Sequence, residues 1–343
     1  MKAIVKYGEE PGILGIQDMP EPKAHRGEVV AQIKATGICY TDISILDNKY
    51  KGRKPVPIPL ILGHEGAGVV IELGEGVNNL SVGDRVGLEV LFGCGCCYDC
   101  LNGNKNMCTD WGHIGITCDG TFAEYVVVPA DLTHKLPDDV SFVDAAFLEP
   151  MGLTVRTLEH VEPMVGDTAA IIGPGPLGMF HLQALKAAGA AKIMVIGLDQ
   201  DKKRFEIAEK LGADHIINGS REDVVKRVRE LTDGLGTDIV VETANSPKVL
   251  PLAIEMAAAR GRVALFGLYP EATFSPVNLL RSGLSVFGDV GILPRHFIRA
   301  MRWVEYKKVL AEPLVTRRFS LDQAEEAFEV ARKGETVKVL FEI

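Results

Sequence analysis

The stretch TAAIIGPGPLGMFHLQALKAAG, residues 168–189, constrains the fold more than any other part of the chain. TAAII is an apolar run of strand length, and MFHLQALKAAG has the apolar spacing of a helix. Between them, GPGPLG matches G-x-G-x-x-G in the context where that match carries weight, after a strand and opening a helix. Gly173 permits the tight turn, Gly175 lets the backbone approach a pyrophosphate, and Gly178 lets helix and strand pack closely. With Leu177 in the same turn they form a candidate phosphate cradle, because a helix N-terminus offers unpaired N–H groups and a positive dipole end.

Strand-sized runs recur beyond it, KIMVIGLD, DIVVET, RVALFG and LSVFGD, with helical stretches such as KKRFEIAEKLG among them. Alternating strands and helices imply right-handed crossovers and a doubly wound parallel sheet of the α/β class. KIMVIGLD ends in Asp199, 21 residues past Gly178. A carboxylate there can hold both ribose hydroxyls of a dinucleotide and would repel a 2′-phosphate, which favours NAD over NADP. Arg204, five residues on, is the opposing consideration, since an arginine can hold that phosphate.

The first 148 residues have a different texture. AIVKY, EVVAQIKA, GAGVVIEL, DRVGLEV and FAEYVVVP are short β-like runs separated by turn residues, which suggests an all-β, barrel-like body. With 343 residues, the chain exceeds what one core usually serves. We therefore expect a β-rich domain over 1–148, a dinucleotide-binding domain over 149–289, and a last segment, 290–343, that does not extend the alternation. That segment carries a helix, LDQAEEAFEVARKG, and a final strand, VKVLFEI. Its return to the first domain is an inference that pattern alone does not establish.

The net charge is -9 and no Lys/Arg block appears, so nucleic acid and anionic membrane are poor partners. The apolar runs are strand-sized and far short of a membrane span, and MKAIVKYGEEPG lacks the apolar core of a signal peptide. The chain reads as cytoplasmic, where thiols stay reduced and a tight cysteine cluster points to metal.

Such a cluster exists. GCGCCYDCLNGNKNMC, residues 93–108, holds five of the seven cysteines. Cys94, Cys97 and Cys100 stand at intervals of three, and Cys108 follows eight later. Successive C-x-x-C turns converge thiolates on one tetrahedral ion, and a longer loop brings the last. Cys96 breaks the rhythm, because neighbouring side chains usually point apart. The expected ligands are thus Cys94, Cys97, Cys100 and Cys108, a closed four-thiolate set and so a structural site.

Three other segments carry metal-type residues: GICYTD with Cys39 and Thr41, GHEGAG with His64 and Glu65, and FLEPMG with Glu149. Taken singly, Cys39 could be a small core residue, His64 a satisfied histidine in a turn and Glu149 a helix N-terminal acid. Spacing does not decide whether they share a site.

Taken in order, GICYTD, GHEGAGVV, the four-cysteine lobe, DGTFAEY, LEP and GPGPLG resemble the zinc-dependent medium-chain dehydrogenases over essentially the full chain. Glu65 and LEP resemble the sorbitol (polyol) dehydrogenase and L-threonine 3-dehydrogenase branch. The resemblance implies a GroES-like catalytic domain, a Rossmann domain, return of the C-terminal segment to the first, and a homotetramer or homodimer. It implies one catalytic and one structural zinc per subunit. Cys39, His64 and Glu65 are then catalytic-zinc ligands, and Glu149 a fourth ligand or one that trades places with water or substrate. By the same resemblance Thr41 is the first proton acceptor, handing its proton to the cofactor ribose.

Two positions depart from the family. The pattern C-x-T/S-D-x-H usually ends in a relay histidine, and CYTDIS places Ser44 there, which passes a proton through its hydroxyl but does not titrate near neutral pH. Threonine dehydrogenases carry a histidine three before the first lobe cysteine, where VLFGCGCC has Leu91. Both departures count against threonine. The expected activity is NAD-dependent oxidation of a secondary alcohol in a polyol, sugar or cyclitol to a ketone, with L-threonine or a simple secondary alcohol as the runner-up. A binding protein that kept the fold would have lost a zinc ligand or Thr41, and all are present. A zinc-free quinone reductase conflicts with both metal sets.

Overall fold

The computed structural model describes residues 1–334 and 336–343. The chain forms two compact units, one of residues 1–152, 291–307 and 315–343, the other of 153–290 and 308–314.

The first unit is built on the long strand Glu28–Gly37, which pairs antiparallel with Glu65–Leu73, Tyr125–Pro129 and Lys338–Glu342. Its sheet continues through Arg85–Leu88 to Thr133–Lys135 on one side and through Val315–Phe319 on the other. The alternating run VKVLFEI thus becomes a strand of this sheet, about 300 residues from its partner in the chain. A smaller sheet joins Gly15–Asp18, Lys2–Lys6 and Leu60–Ile61. Between the layers Phe122 meets Phe328 and Phe341 edge to face at 6.0 and 5.3 Å. Phe328 lies on the helix Ala324–Arg332, whose buried face of Ala324, Ala327 and Phe328 has the spacing of an amphipathic helix.

The second unit is a six-stranded parallel sheet ordered His215–Asn218, Lys192–Gly197, Thr168–Ile172, Thr237–Glu242, Ala257–Leu265, Ser285–Gly288. The order reverses at Thr168–Ile172, so the next two strands in the chain lie on one side of it and the last three on the other, the doubly wound arrangement. Runs such as AAII and IMVIG are buried throughout rather than alternating, because helices cover both faces. His215–Asn218 is the strand that the sequence pattern does not single out: it is four residues long and begins and ends in polar side chains.

The helix Pro176–Ala187 buries His181 completely. Its Nδ1 meets the Leu177 carbonyl at 2.7 Å and its Nε2 the Thr157 hydroxyl at 2.9 Å, with Phe266 edge-on at 5.2 Å. Burial pushes its pKa down to about 4, Arg156 adding to the effect and the Leu177 carbonyl opposing it. The unfolded chain takes up this proton below about pH 6.5, whereas the folded one resists until about pH 4. This site's stabilisation is therefore present above pH 6.5 and lost as pH falls, by about 3 kcal/mol. Thermal melts between pH 7.5 and 4 should show a steep loss of stability that is shallower by that amount in His181→Gln. Equal slopes would remove His181 as a cause.

Candidate active site

The lobe over residues 93–108 brings four sulfurs together. Those of Cys94, Cys97, Cys100 and Cys108 all lie within 4.8 Å of one another. Cys97 caps the short helix Tyr98–Leu101 and accepts from the Cys100 N–H at 3.5 Å, while the Cys94 N–H points at the Cys108 sulfur at 3.4 Å. Cys96 is not in the group; its sulfur is exposed, 3.7 Å from that of Cys94. The four thiols suit a cation. Backbone N–H groups of Cys96 and Cys97 hold Cys94 down to about 6, but burial pushes Cys100 up to about 12. A metal would ionise Cys100 as well at neutral pH. The lobe is tied to its unit by Glu89, a fully buried carboxylate that meets Lys105 at 2.7 Å and His134 at 3.0 Å. Arg53 adds a second tie, lying over the Trp111 ring at 5.0 Å and donating to the Asn106 carbonyl at 2.8 Å.

The second group forms where two chain segments meet. Cys39 caps the helix Tyr40–Leu46, His64 follows a glycine turn, and Glu65 opens the strand Glu65–Leu73. One ligand atom from each lies within 4.8 Å of the others. Gly37, in the neighbouring strand, makes room: a Cβ there would stand 2.1 Å from the Phe147 ring and 2.5 Å from the Glu65 carboxylate. Thr41 and Ser44 lie three apart on the same helix and so on one face, both half-buried. Glu149, buried in the first turn of the helix Leu148–Val161, is not one of the three.

Two partners of this group escaped the sequence reading. Asp42, fully buried, accepts from the Cys39 N–H at 2.8 Å and from the Gly63 N–H at 3.3 Å, and lies 3.2 Å from His64 Nδ1. Such a carboxylate orients a histidine and leaves its other nitrogen for a metal. Burial opposes charge on His64, but Asp42 and Cys39 outweigh it and hold its pKa well above 6.5, so a metal would compete there with a proton. The aspartate stands in GICYTD itself and is a signal that could have been read. Lys338 could not: 273 residues from Glu65, buried, it meets both carboxylate oxygens at 2.6 and 2.5 Å and faces the Phe147 ring at 4.9 Å. Glu65 is thereby charge-balanced by a lysine on the last strand.

In the second unit Gly173 takes φ 104°, reserved in practice for glycine, and a Cβ on Gly178 would collide with the Gly173 carbonyl at 2.1 Å. Gly175 caps the helix Pro176–Ala187 and faces open space, with Leu177 in the first turn. Glu242, buried at the end of its strand, accepts from the Ala244 and Gly267 N–H groups at 2.7 and 3.0 Å and so fastens two loops at the carboxyl edge of the sheet, where doubly wound folds bind ligands. Asp199 follows the strand Lys192–Gly197 as expected. Arg204 lies against Asp201 at 3.2 Å; the arginine on Asp199 is Arg221, at 2.6 Å.

A glycine turn opening a helix of a doubly wound sheet on one unit, and a Cys–His–Glu group with a four-thiol lobe on the other, fit a metal-dependent nicotinamide oxidoreductase. The comparisons agree. Residues 25–138 match the alcohol dehydrogenase GroES-like domain and residues 176–306 the zinc-binding dehydrogenase family. The chain is 34% identical to a sorbitol dehydrogenase of Halalkalibacterium halodurans, over 99% of this chain and 98% of that one. It is 37% identical to an L-threonine 3-dehydrogenase of Pyrococcus abyssi, over 99% and 97%. A crystal structure of an Escherichia coli alcohol dehydrogenase with NADH superposes with TM-score 0.91 at 29% identity, over 100% of this chain and 99% of that one. The chain belongs to the zinc-dependent medium-chain dehydrogenases, a GroES-like domain joined to a Rossmann domain, and is an enzyme that uses zinc and a nicotinamide cofactor to oxidise an alcohol.

Proposed function

We propose that the enzyme oxidises a secondary alcohol of a polyol, sugar or cyclitol to the ketone with NAD⁺. The observation that carries this reading is the convergence of Cys39, His64 and Glu65 on one point, with Thr41 and Ser44 on the helix that Cys39 caps. Those three residues would hold the catalytic zinc, leaving a coordination position for substrate, and Glu149 would enter or leave that shell. Zinc held there would supply acidification of the substrate hydroxyl, and a nicotinamide would supply the hydride acceptor. The rest falls to the chain. Asp42 fixes the His64 ring, Lys338 balances Glu65, and Thr41 accepts the hydroxyl proton while passing on its own, with Ser44 next on the same face. The net change would be alcohol and NAD⁺ to ketone, NADH and a proton. Gly173, Gly175, Leu177 and Gly178 would cradle the pyrophosphate, and Asp199 the adenosine ribose. Cys94, Cys97, Cys100 and Cys108 would hold the structural zinc.

L-Threonine is a second reading, favoured by the 37% identity to an L-threonine 3-dehydrogenase. Against it stand Ser44 and Leu91, the latter buried in a two-residue strand opposite His113, where threonine enzymes carry a histidine. A panel of polyols, inositols, sugars and L-threonine, followed by NADH absorbance, decides. A vicinal polyol or cyclitol should exceed L-threonine in kcat/KM by tenfold or so, about 1.4 kcal/mol in transition-state binding. Preference for L-threonine would overturn the assignment.

The assembly we infer has two or four copies. The strand Ser285–Gly288 ends its sheet with a neighbour on one side, and Val286 on it and Leu280 in the helix before it are exposed, which suits pairing with a second copy. No helix among the described residues is long and apolar enough to cross a membrane, and all seven cysteines are without disulfides, in keeping with a cytoplasmic enzyme.

A further inference from the structure

Asp199 does not stand alone at the end of its strand. Asn218 Nδ2 and Arg221 Nε both donate to its Oδ1, at 2.8 and 2.6 Å. Its own N–H donates to the Ser220 hydroxyl at 3.1 Å, and the Ser220 N–H donates to Asn218 Oδ1 at 3.0 Å. The four side chains knit the end of Lys192–Gly197 to the turn after His215–Asn218, the neighbouring strand on the outer side of the sheet. The Arg221 side chain is 74% exposed and uses only Nε on Asp199, so the two Nη groups face outward. Arg204, by contrast, is four-fifths buried against Asp201.

We propose that Arg221, rather than Arg204, is the phosphate-recognising residue of the adenosine end of the cofactor site, and that Asp199 masks it. The proposal rests on the reading of Asp199 as the residue that favours NAD. Both donors meet Oδ1, which leaves Oδ2 to accept from a ribose hydroxyl. The ion pair is neutral as a whole, and its carboxylate stands between a 2′-phosphate and the cation that would bind it. With the carboxylate removed, an outward guanidinium fork is left beside the ribose, the geometry that suits a phosphate dianion. Discrimination between the two dinucleotides is thus a property of the pair: Asp199 supplies the repulsion and Arg221 the latent attraction.

The experiment measures equilibrium binding of NADH and NADPH to the zinc-loaded enzyme by nucleotide fluorescence. The readout is the ratio of the two affinities, which a partly unfolded sample does not alter. Wild type should prefer NADH. Asp199→Ser should move the ratio toward NADPH by about 10- to 100-fold, the scale of one lost repulsion and one gained charge-assisted pair. Adding Arg221→Ala should reverse most of that gain, whereas adding Arg204→Ala should keep it. A gain that survives Arg221→Ala, or one that disappears with Arg204→Ala, overturns the assignment to Arg221. Equal wild-type affinity for the two nucleotides would instead overturn the reading of Asp199 beneath it, and the wild-type measurement alone distinguishes that failure.

Discussion

Cys108→Ser is expected to strip one of two zinc ions from each chain and lower the melting temperature by about 10 °C, the scale on which losing a bound metal destabilises a domain. Cys108 is the fully buried member of the four-sulfur group and accepts from the Cys94 backbone, so its loss opens the set from the inside. Serine lacks the soft thiolate that a zinc ion in this lobe would take. The lobe should then loosen at Cys94, Cys97 and Cys100, since its remaining ties, Glu89 to Lys105 and Arg53 to the Asn106 and Cys108 carbonyls, hold only its last few residues. The other group should keep its ion, because it draws on Cys39, His64 and Glu65. Cys96→Ser should retain both ions and the wild-type melting temperature. Elemental analysis with thermal melts on the three proteins checks this. Two zinc ions retained in Cys108→Ser would show that the four sulfurs do not form the structural site, and one ion lost in Cys96→Ser would show that the fifth thiol is a ligand.

Local pattern brings this part of the molecule into view. The cysteine spacing by itself separates Cys96 from the other four, because three-residue steps return a chain to the same side of a turn and adjacent residues do not. The parallel sheet is legible for the same kind of reason: its central strands are buried on both faces and read as unbroken apolar runs, whereas His215–Asn218, at the edge, is short and polar at its ends. Pairings across the chain are not legible. Lys338 sits in the alternating run VKVLFEI as a position that faces either water or core, and only the antiparallel pairing of that strand with Glu28–Gly37 turns it toward Glu65. Arg221 is hidden likewise. The sequence places Arg204 five residues from Asp199 and Arg221 far downstream, but the helix that begins at Lys202 carries Arg204 toward Asp201, while parallel pairing returns residues 218–221 to the end of the strand before Asp199. Asp42 falls between these cases, since it stands in plain sight inside GICYTD but its role depends on where His64 comes to lie.

Thr41→Ala is expected to lower kcat by about 10²–10⁴-fold, the range that removing a positioned proton-transfer group covers. Zinc content should stay at the wild-type value, since Thr41 is not among the grouped Cys39, His64 and Glu65. Ser44→Ala should cost less than about tenfold. The ranking follows from chemistry and position. Thr41 is two residues from Cys39 and can take the hydroxyl proton only while giving up its own, so its loss breaks the path at the first step. Ser44 lies one turn further along the face, where water can substitute for a hydroxyl. Neither group holds charge near neutral pH, so the chain has no titrating exit of its own at this point. His113 does not supply one, although its ring stands 5.5 Å from that of His64: burial, then repulsion from His64, pushes its pKa down to about 3, so it is neutral across the working range. The wild-type kcat profile should therefore lack an imidazole limb, and Ser44→His should add one near pH 6.5. Measuring kcat against pH for wild type, Thr41→Ala, Ser44→Ala and Ser44→His tests the ranking. A fall in Ser44→Ala as deep as in Thr41→Ala would make the serine an obligatory carrier, and a limb near pH 6.5 in the wild type would mean that another histidine completes the path.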